Sequence, residues 1–270
     1  MMDQEQLISR IVAEVMGKLG TQAGAQPQAA LRQTESGAVS AGLIPQLGPT
    51  DLAKYIDHTM LKPESVTSAF DKLCQEAVQY HFFSVCVNSG RVAYVAKKLQ
   101  GTGIKVCSVV GFPLGAMTSR SKAFETREAI ADGAQEIDMV INVGLLKSGD
   151  FRAVEEDIRA VRRATRSNTI LKVIIETALL SQDEKVMACE LSKKAEADFV
   201  KTCTGFSGGA ASVEDIALMR QVVGPTMGVK ASGGVRTHKT AMALIGAGAT
   251  RLGCVASVAI VTNQEGQGSY

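Results

Sequence analysis

Three lysines stand where lysines are costly, each inside an apolar, β-rich run: Lys172 in Leu171-Lys172-Val173-Ile174-Ile175, Lys201 in Phe199-Val200-Lys201-Thr202, and Lys230 in Gly228-Val229-Lys230-Ala231. The step from Lys172 to Lys201 is 29 residues, and so is the step from Lys201 to Lys230. That is the length of one strand-plus-helix unit, so the spacing predicts equivalent positions on successive strands, with the three side chains converging on the inside of a closed sheet. Asp138, in Glu136-Ile137-Asp138-Met139-Val140, supplies a carboxylate in a similar run, and Glu176 follows Lys172 closely. An ammonium in an apolar interior must be paired or must release its proton, and a second cation nearby favours release. A neutral amine attacks a carbonyl, and the resulting protonated imine draws electrons from an adjacent carbon–carbon bond until it breaks. The competing expectation is purely structural: lysines paired internally with Asp138 and Glu176.

Glycine-rich segments follow two of these runs. Lys230 leads into Ala231-Ser232-Gly233-Gly234-Val235-Arg236, and Lys201 into Thr202-Cys203-Thr204-Gly205-Phe206-Ser207-Gly208-Gly209. Loops of this kind let backbone N–H groups approach an anion, and a barrel's phosphate site is often built after its seventh and eighth strands.

The elements that must position these groups are legible as alternating short β-rich runs and amphipathic stretches. The runs are Tyr55–Met60, Ser84–Val87, Lys105–Gly111, Glu136–Asn142, Leu171–Thr177, Asp198–Thr204, Gly228–Ser232 and Arg251–Ala256. Helical stretches such as Phe151–Thr165 and Asp183–Ala197 separate them. Eight such units predict an α/β fold, a (β/α)8 TIM barrel over residues 51–262 with its site at the C-terminal ends of the strands. The G-x-G-x-x-G signature of a dinucleotide-binding open sheet is absent.

The 270 residues suit one such barrel, and 46% hydrophobic content supplies its core. A net charge of +2, with 4% aromatics and no Trp, argues against a nucleic-acid partner. Six cysteines without a C-x-x-C pair predict no metal site and no disulfide framework, but buried thiols in a reducing, cytoplasmic setting. Composition likewise predicts no membrane span.

Residues 1–20 read as a separate amphipathic helix, with Leu7, Ile8, Ile11, Val12, Val15, Met16 and Leu19 on one stripe, Asp3 and Gln6 at its start and Gly20 at its end. Residues 21–50 have the Gln, Ala, Gly, Ser and Pro content of a flexible linker, and 263–270 that of a polar tail. A helix so short needs an external surface to cover its stripe.

Taken with Ile56-Asp57-His58-Thr59, Gly111-Phe112-Pro113-Leu114-Gly115, Lys172 to Thr177 and Gly228 to Thr237, these residues make the chain resemble the deoxyribose-phosphate aldolases, class I aldolases with a (β/α)8 barrel, over residues 53 to about 262. The resemblance implies reversible cleavage of 2-deoxy-D-ribose 5-phosphate to acetaldehyde and D-glyceraldehyde 3-phosphate without metal or organic cofactor. It implies Lys201 as the Schiff-base nucleophile, Lys230 and Asp138 as its proton-transfer partners, and Lys172 as a supporting cation. It further implies Thr202, Gly205, Ser232, Gly233, Gly234 and Gly253 as substrate- and phosphate-binding residues, and Tyr270, the last residue, as a proton-transfer group on the tail. His58 and Asp57 end the first run, where His58 has either a substrate-facing role or a structural hydrogen bond.

One departure bears on the substrate. Where the family has Gly-Thr-Ser-Ser-Gly after the eighth strand, this chain has Gly253-Cys254-Val255-Ala256-Ser257, two hydroxyl donors fewer. A shifted substrate, or a non-catalytic cargo role, is therefore the alternative expectation. Residues 1–20 resemble encapsulation peptides, which implies shell proteins or other cargo of a bacterial microcompartment as partners and its lumen as the location. A membrane-surface helix or packing on a neighbouring subunit competes with that, and self-association is left open.

Overall fold

A computed structural model describes residues 47–264 and, before them, only Ala13; the expectations for residues 1–20, most of 21–50 and Tyr270 fall outside the described residues. Within these bounds the chain runs α1 (Pro49–Ala53), β1 (Ile56–Met60), α2 (Thr67–Tyr80), β2 (Ser84–Val87), α3 (Val92–Lys98), β3 (Lys105–Val110), α4 (Ser119–Ala131), β4 (Glu136–Val140), α5 (Val143–Lys147) and α6 (Phe151–Ala164). It continues through β5 (Ile170–Ile174), α7 (Gln182–Lys194), β6 (Phe199–Lys201), α8 (Val213–Val223), β7 (Gly228–Ser232), α9 (His238–Gly246), β8 (Arg251–Cys254) and α10 (Ser257–Val261). The eight strands are parallel and close in sequence order, β8 pairing with β1. This is the (β/α)8 barrel expected, and each strand falls on one of the eight β-rich runs.

The strands read as near-continuous apolar runs because both faces are covered, one by helices and one by the opposite strands. The larger core lies between strands and helices: Val154, Ile158 and Val161 of α6, spaced by four and three, are all fully buried in it. A smaller cluster of Leu61, Cys86, Cys107 and Val109, with Phe112 against it, fills part of the barrel's inside. Side chains cap the helices where an N–H would otherwise lack a partner: Thr118 for α4, Asp150 for α6, Ser212 for α8 and Thr237 for α9. Ser181 and Glu184 form a reciprocal capping box on α7. Each cap stabilises its helix by about 1 kcal/mol. The second helical stretch is shorter than expected, ending at Lys194, because Glu196 turns into the left-handed region at φ 63°.

The floor of the barrel is closed by Arg251, whose guanidinium lies 3.5 Å from the ring centroid of Phe83 and 5.5 Å from that of Phe199. Gly228 makes this possible, since a Cβ there would sit 2.2 Å from the Phe199 ring.

Candidate active site

Strand alternation turns Asp57, Glu136, Asp138, Lys172, Lys201, Lys230 and Arg251 into one connected ion network inside the barrel. All seven are buried. Lys172 Nζ donates to Asp138 Oδ1 at 2.7 Å and lies 2.6 Å from Glu136 Oε2. Lys201 Nζ and Lys230 Nζ donate to the other oxygen of Asp138, at 2.9 and 2.7 Å. Lys230 also donates to Asp57, which takes Ser84 Oγ at 2.7 Å and Arg251 Nη1 at 2.8 Å on its remaining oxygen. Arg251 Nη1 reaches Glu136 at 3.0 Å and completes the circuit.

The three lysines converge, but not in one layer. Lys201 and Lys230 are register partners on β6 and β7, whereas Lys201 faces Ile174 on β5 and Lys172 faces Phe199. Lys172 therefore lies two residues nearer the N-terminal end, because the shear of a closed barrel is distributed unevenly among strand pairs and equal sequence spacing does not reveal it. Glu176 is not their partner. It lies past β5 in the left-handed region at φ 59° and accepts from Thr204 N and from Thr204 Oγ1, the latter at 2.6 Å.

The electrostatics also differ from the expectation of lysines that repel one another's protons. Burial opposes the charge on Lys230, yet Asp138 and Asp57 outweigh it and hold the ammonium well above its ordinary range. For Lys172, burial is likewise outweighed by Asp138, so this amine too is pushed upward. Burial alone would raise the Asp138 carboxyl, but Lys172, Lys201 and Lys230 drive it well below the usual carboxylate range. Asp57 is lowered in the same way, burial being overcome by Lys230, then Arg251 and Lys172. Lys201 stands apart in geometry. It contacts a single carboxylate oxygen, terminates its strand, and shows 3% side-chain exposure where Lys172 and Lys230 show 0%.

A cavity of about 250 Å³ opens among the segments at and beyond the ends of β6, β7 and β8, and Gly205, Gly234, Gly253, Arg236, Val255 and Ala256 are among its lining residues. Arg236 is the cation of this wall, and it was not singled out in the sequence because an exposed arginine after a Gly-Gly pair looks like any surface charge. The hydroxyls of Thr202 and Ser232 are engaged elsewhere: Thr202 Oγ1 donates to Ser232 O at 2.9 Å and Ser232 Oγ to Cys203 O at 2.7 Å, tying β6 to β7. Gly233, at φ 89°, packs where a Cβ would meet Cys203 Sγ at 2.6 Å. His58 points away from the barrel interior, between Ser257 and Glu76.

Among the described residues, Cys86, Cys107 and Asp138 bring metal-ligand atoms within 4.8 Å of one another. Burial pushes the Cys107 thiol well above its ordinary value and so disfavours the thiolate a metal needs, while Lys172 Nζ, 3.4 Å from the sulfur, disfavours a further cation. No helix among the described residues is long and apolar enough to cross a membrane.

The sequence model of the DeoC/LacD family aldolases matches residues 52–261. Deoxyribose-phosphate aldolase 1 of Oceanobacillus iheyensis is 59% identical over 220 residues, 82% of this chain and 100% of that protein. The deoxyribose-phosphate aldolase of Streptococcus equi subsp. zooepidemicus is 58% identical over the same coverage. Among solved structures, the tetrameric deoxyribose phosphate aldolase of Aeropyrum pernix superposes with a TM-score of 0.75 at 31% identity, covering 80% of this chain and 91% of that one.

Proposed function

This chain belongs to the DeoC/LacD family of aldolases, and from that membership we propose that its substrate is 2-deoxy-D-ribose 5-phosphate and that Lys201 is its Schiff-base lysine. The observation that carries the assignment is the sharing of Asp138 by three lysines of unequal standing. Four cations, Lys172, Lys201, Lys230 and Arg251, divide three carboxylates among them. One proton can leave this network and bring it to neutrality. Lys230 and Lys172 each contact two or more carboxylates, whereas Lys201 has one oxygen to lose.

In this reading the Lys201 amine attacks C1 of the open-chain sugar, water leaves, and the protonated imine remains against Asp138 Oδ2. Removal of the C3 hydroxyl proton, by Asp138 with Lys230 through an intervening water, breaks the C2–C3 bond and releases glyceraldehyde 3-phosphate. The enamine left on Lys201 takes a proton at C2, and hydrolysis of the imine frees acetaldehyde and the amine. Lys172 holds Asp138 from the opposite oxygen, fixing its orientation. The phosphate end enters the cavity between Arg236, Gly205, Gly234 and Gly253, and Tyr270 serves as a tail-borne proton donor.

Borohydride reduction in the presence of deoxyribose 5-phosphate, followed by peptide mass spectrometry, tests the assignment: the adduct is expected on Lys201, and an adduct on Lys172 or Lys230 overturns it. A second reading, an aldolase shifted toward a substrate without phosphate, is favoured by Val255 and Ala256 in the cavity wall; turnover of deoxyribose at a rate matching the phosphorylated sugar would establish it. Residues 1–20 are read as an encapsulation helix. Deleting them is expected to leave activity in solution intact and to abolish co-purification with microcompartment shells, and a destabilised barrel would refute that role.

A further inference from the structure

β1 carries Asp57 and His58 in succession, and alternation sends them to opposite faces: Asp57 into the barrel against Lys230 and Arg251, His58 outward under α2 and α10. His58 is buried, and its ring centroid lies 5.0 Å from that of Phe82. Nδ1 is 2.9 Å from Ser257 Oγ, and Nε2 is 2.9 Å from Glu76 Oε2. Ser257 begins α10, and its Oγ donates back to Cys254 O at 2.9 Å.

Counting hydrogens leaves two directions for this chain. A carbonyl and a carboxylate only accept, and Ser257 has one hydroxyl hydrogen. With that hydrogen on Cys254 O, Ser257 Oγ is left to accept from Nδ1. The alternative places the Ser257 hydrogen on Nδ1 and releases the Cys254 carbonyl. Either way β1 holds both ends of the segment Cys254 to Ser257, since His58 pairs with Cys254 in the β1–β8 ladder and its imidazole meets Ser257 Oγ. The charged groups lining the cavity around His58 are Lys72 and Glu76, both from α2, with Lys72 Nζ 3.7 Å from Glu76 Oε1.

The clamped segment matters because Val255 and Ala256 form a wall common to two cavities: the one holding Arg236 and Gly234, and one of about 260 Å³ around His58 and Glu76. Offering no side-chain hydroxyl, those two residues can serve a ligand only through where their backbone is held. We propose that His58 is a positioning residue for the phosphate end of the substrate, acting through Ser257 on the Val255–Ala256 wall. The inference rests on the sugar phosphate being the substrate and on its phosphate occupying the cavity beside Arg236.

Steady-state kinetics on the full chain with deoxyribose 5-phosphate and with unphosphorylated deoxyribose test it. His58→Ala is expected to raise KM for the phosphorylated sugar about tenfold while kcat stays within about twofold, and to leave kcat/KM for deoxyribose within about twofold. Ser257→Ala, which removes one oxygen, provides the same reading should His58→Ala fail to fold, and the double variant is expected to be no worse than either single one. Equal losses on both sugars, a fall confined to kcat, or additive effects in the double variant would overturn the positioning role. If the unaltered protein does not turn over deoxyribose 5-phosphate, the substrate reading fails first and the positioning role falls with it.

Discussion

Replacing Asp138 by Asn removes one negative charge from contact with three ammonium groups at 2.7, 2.9 and 2.7 Å, with no other change of shape. Breaking a buried ion pair from one side costs about 3–5 kcal/mol. At roughly 2–4 °C per kcal/mol for a barrel of this size, a loss of about 4 kcal/mol lowers Tm by roughly 8–16 °C. Activity should fall further than stability explains, by about 10²- to 10⁴-fold in kcat, if Asp138 also moves protons. Asp157→Asn separates the two effects. It breaks another buried pair, Lys122 Nζ to Asp157 Oδ2 at 2.5 Å between α4 and α6, outside the connected network. Thermal melts and kcat for both variants, measured well below their Tm, should show matched destabilisation and an activity loss confined to Asp138→Asn. The pH dependence has a definite sign. Because the folded-state pKa of Asp138 is depressed, its contribution is full above the unfolded value near 4 and is lost only as pH falls through the lower folded value. The gap in stability between the protein and Asp138→Asn should thus persist at pH 5 and close only in strong acid. An Asp138→Asn protein as unstable as Asp157→Asn, yet retaining kcat within about threefold, would refute a chemical role for this carboxylate.

Four further substitutions follow from the same geometry. Lys172 has its folded pKa raised, so its contribution is complete below the unfolded value near 10.4 and is lost only as pH rises through the higher folded value; the Tm deficit of Lys172→Met should therefore be constant from about pH 7 to 10, and a deficit shrinking by pH 9 would contradict this. Val255→Ser and Ala256→Ser each restore a hydroxyl to the cavity wall and should lower KM for deoxyribose 5-phosphate by about tenfold apiece; unchanged KM values would mean that the phosphate does not reach that wall. Lys230→Met leaves Asp138 Oδ2 to Lys201 alone, so this carboxylate holds the Lys201 nitrogen without a competitor and borohydride trapping at pH 7 should slow; faster trapping would reverse the inferred part played by Lys230.

The barrel was legible because its signals are local. Runs such as Leu171–Ile175, buried on both faces, must be apolar, and Ser181 with Glu184 marks a helix start within four residues. Lys201 and Lys230 were legible too, since an ammonium in an apolar strand has few explanations and their 29-residue step coincides with strand register. The pairing of the network was not. Arg251 meets Glu136 and Asp57 across 115 and 194 residues of chain, and the partner of a buried cation depends on a shear that only closure defines. A usable signal did exist: Glu136 lies two residues before Asp138, hence on the same inward face, while Glu176 lies beyond the last ladder pair of β5, where alternation no longer applies. His58 shows the converse. Adjacent to inward Asp57, it had to face outward, and the same alternation that admits one excludes the other.

The network also explains why so many fixed charges surround one reactive amine. In the Schiff-base cycle proposed for Lys201, its nitrogen would pass between a neutral amine or enamine and a cationic imine, so its charge would alternate while everything around it holds still. Asp138 Oδ2 at 2.9 Å stabilises the cationic states. Lys230, on that same oxygen at 2.7 Å, disfavours them. A carboxylate alone would trap the imine, and a second cation alone would prevent its formation; sharing one oxygen keeps both states within reach. Lys172, Glu136, Arg251 and Asp57 then act as counterweights that keep Asp138 ionised and Lys230 charged at neutral pH, the condition under which that balance holds.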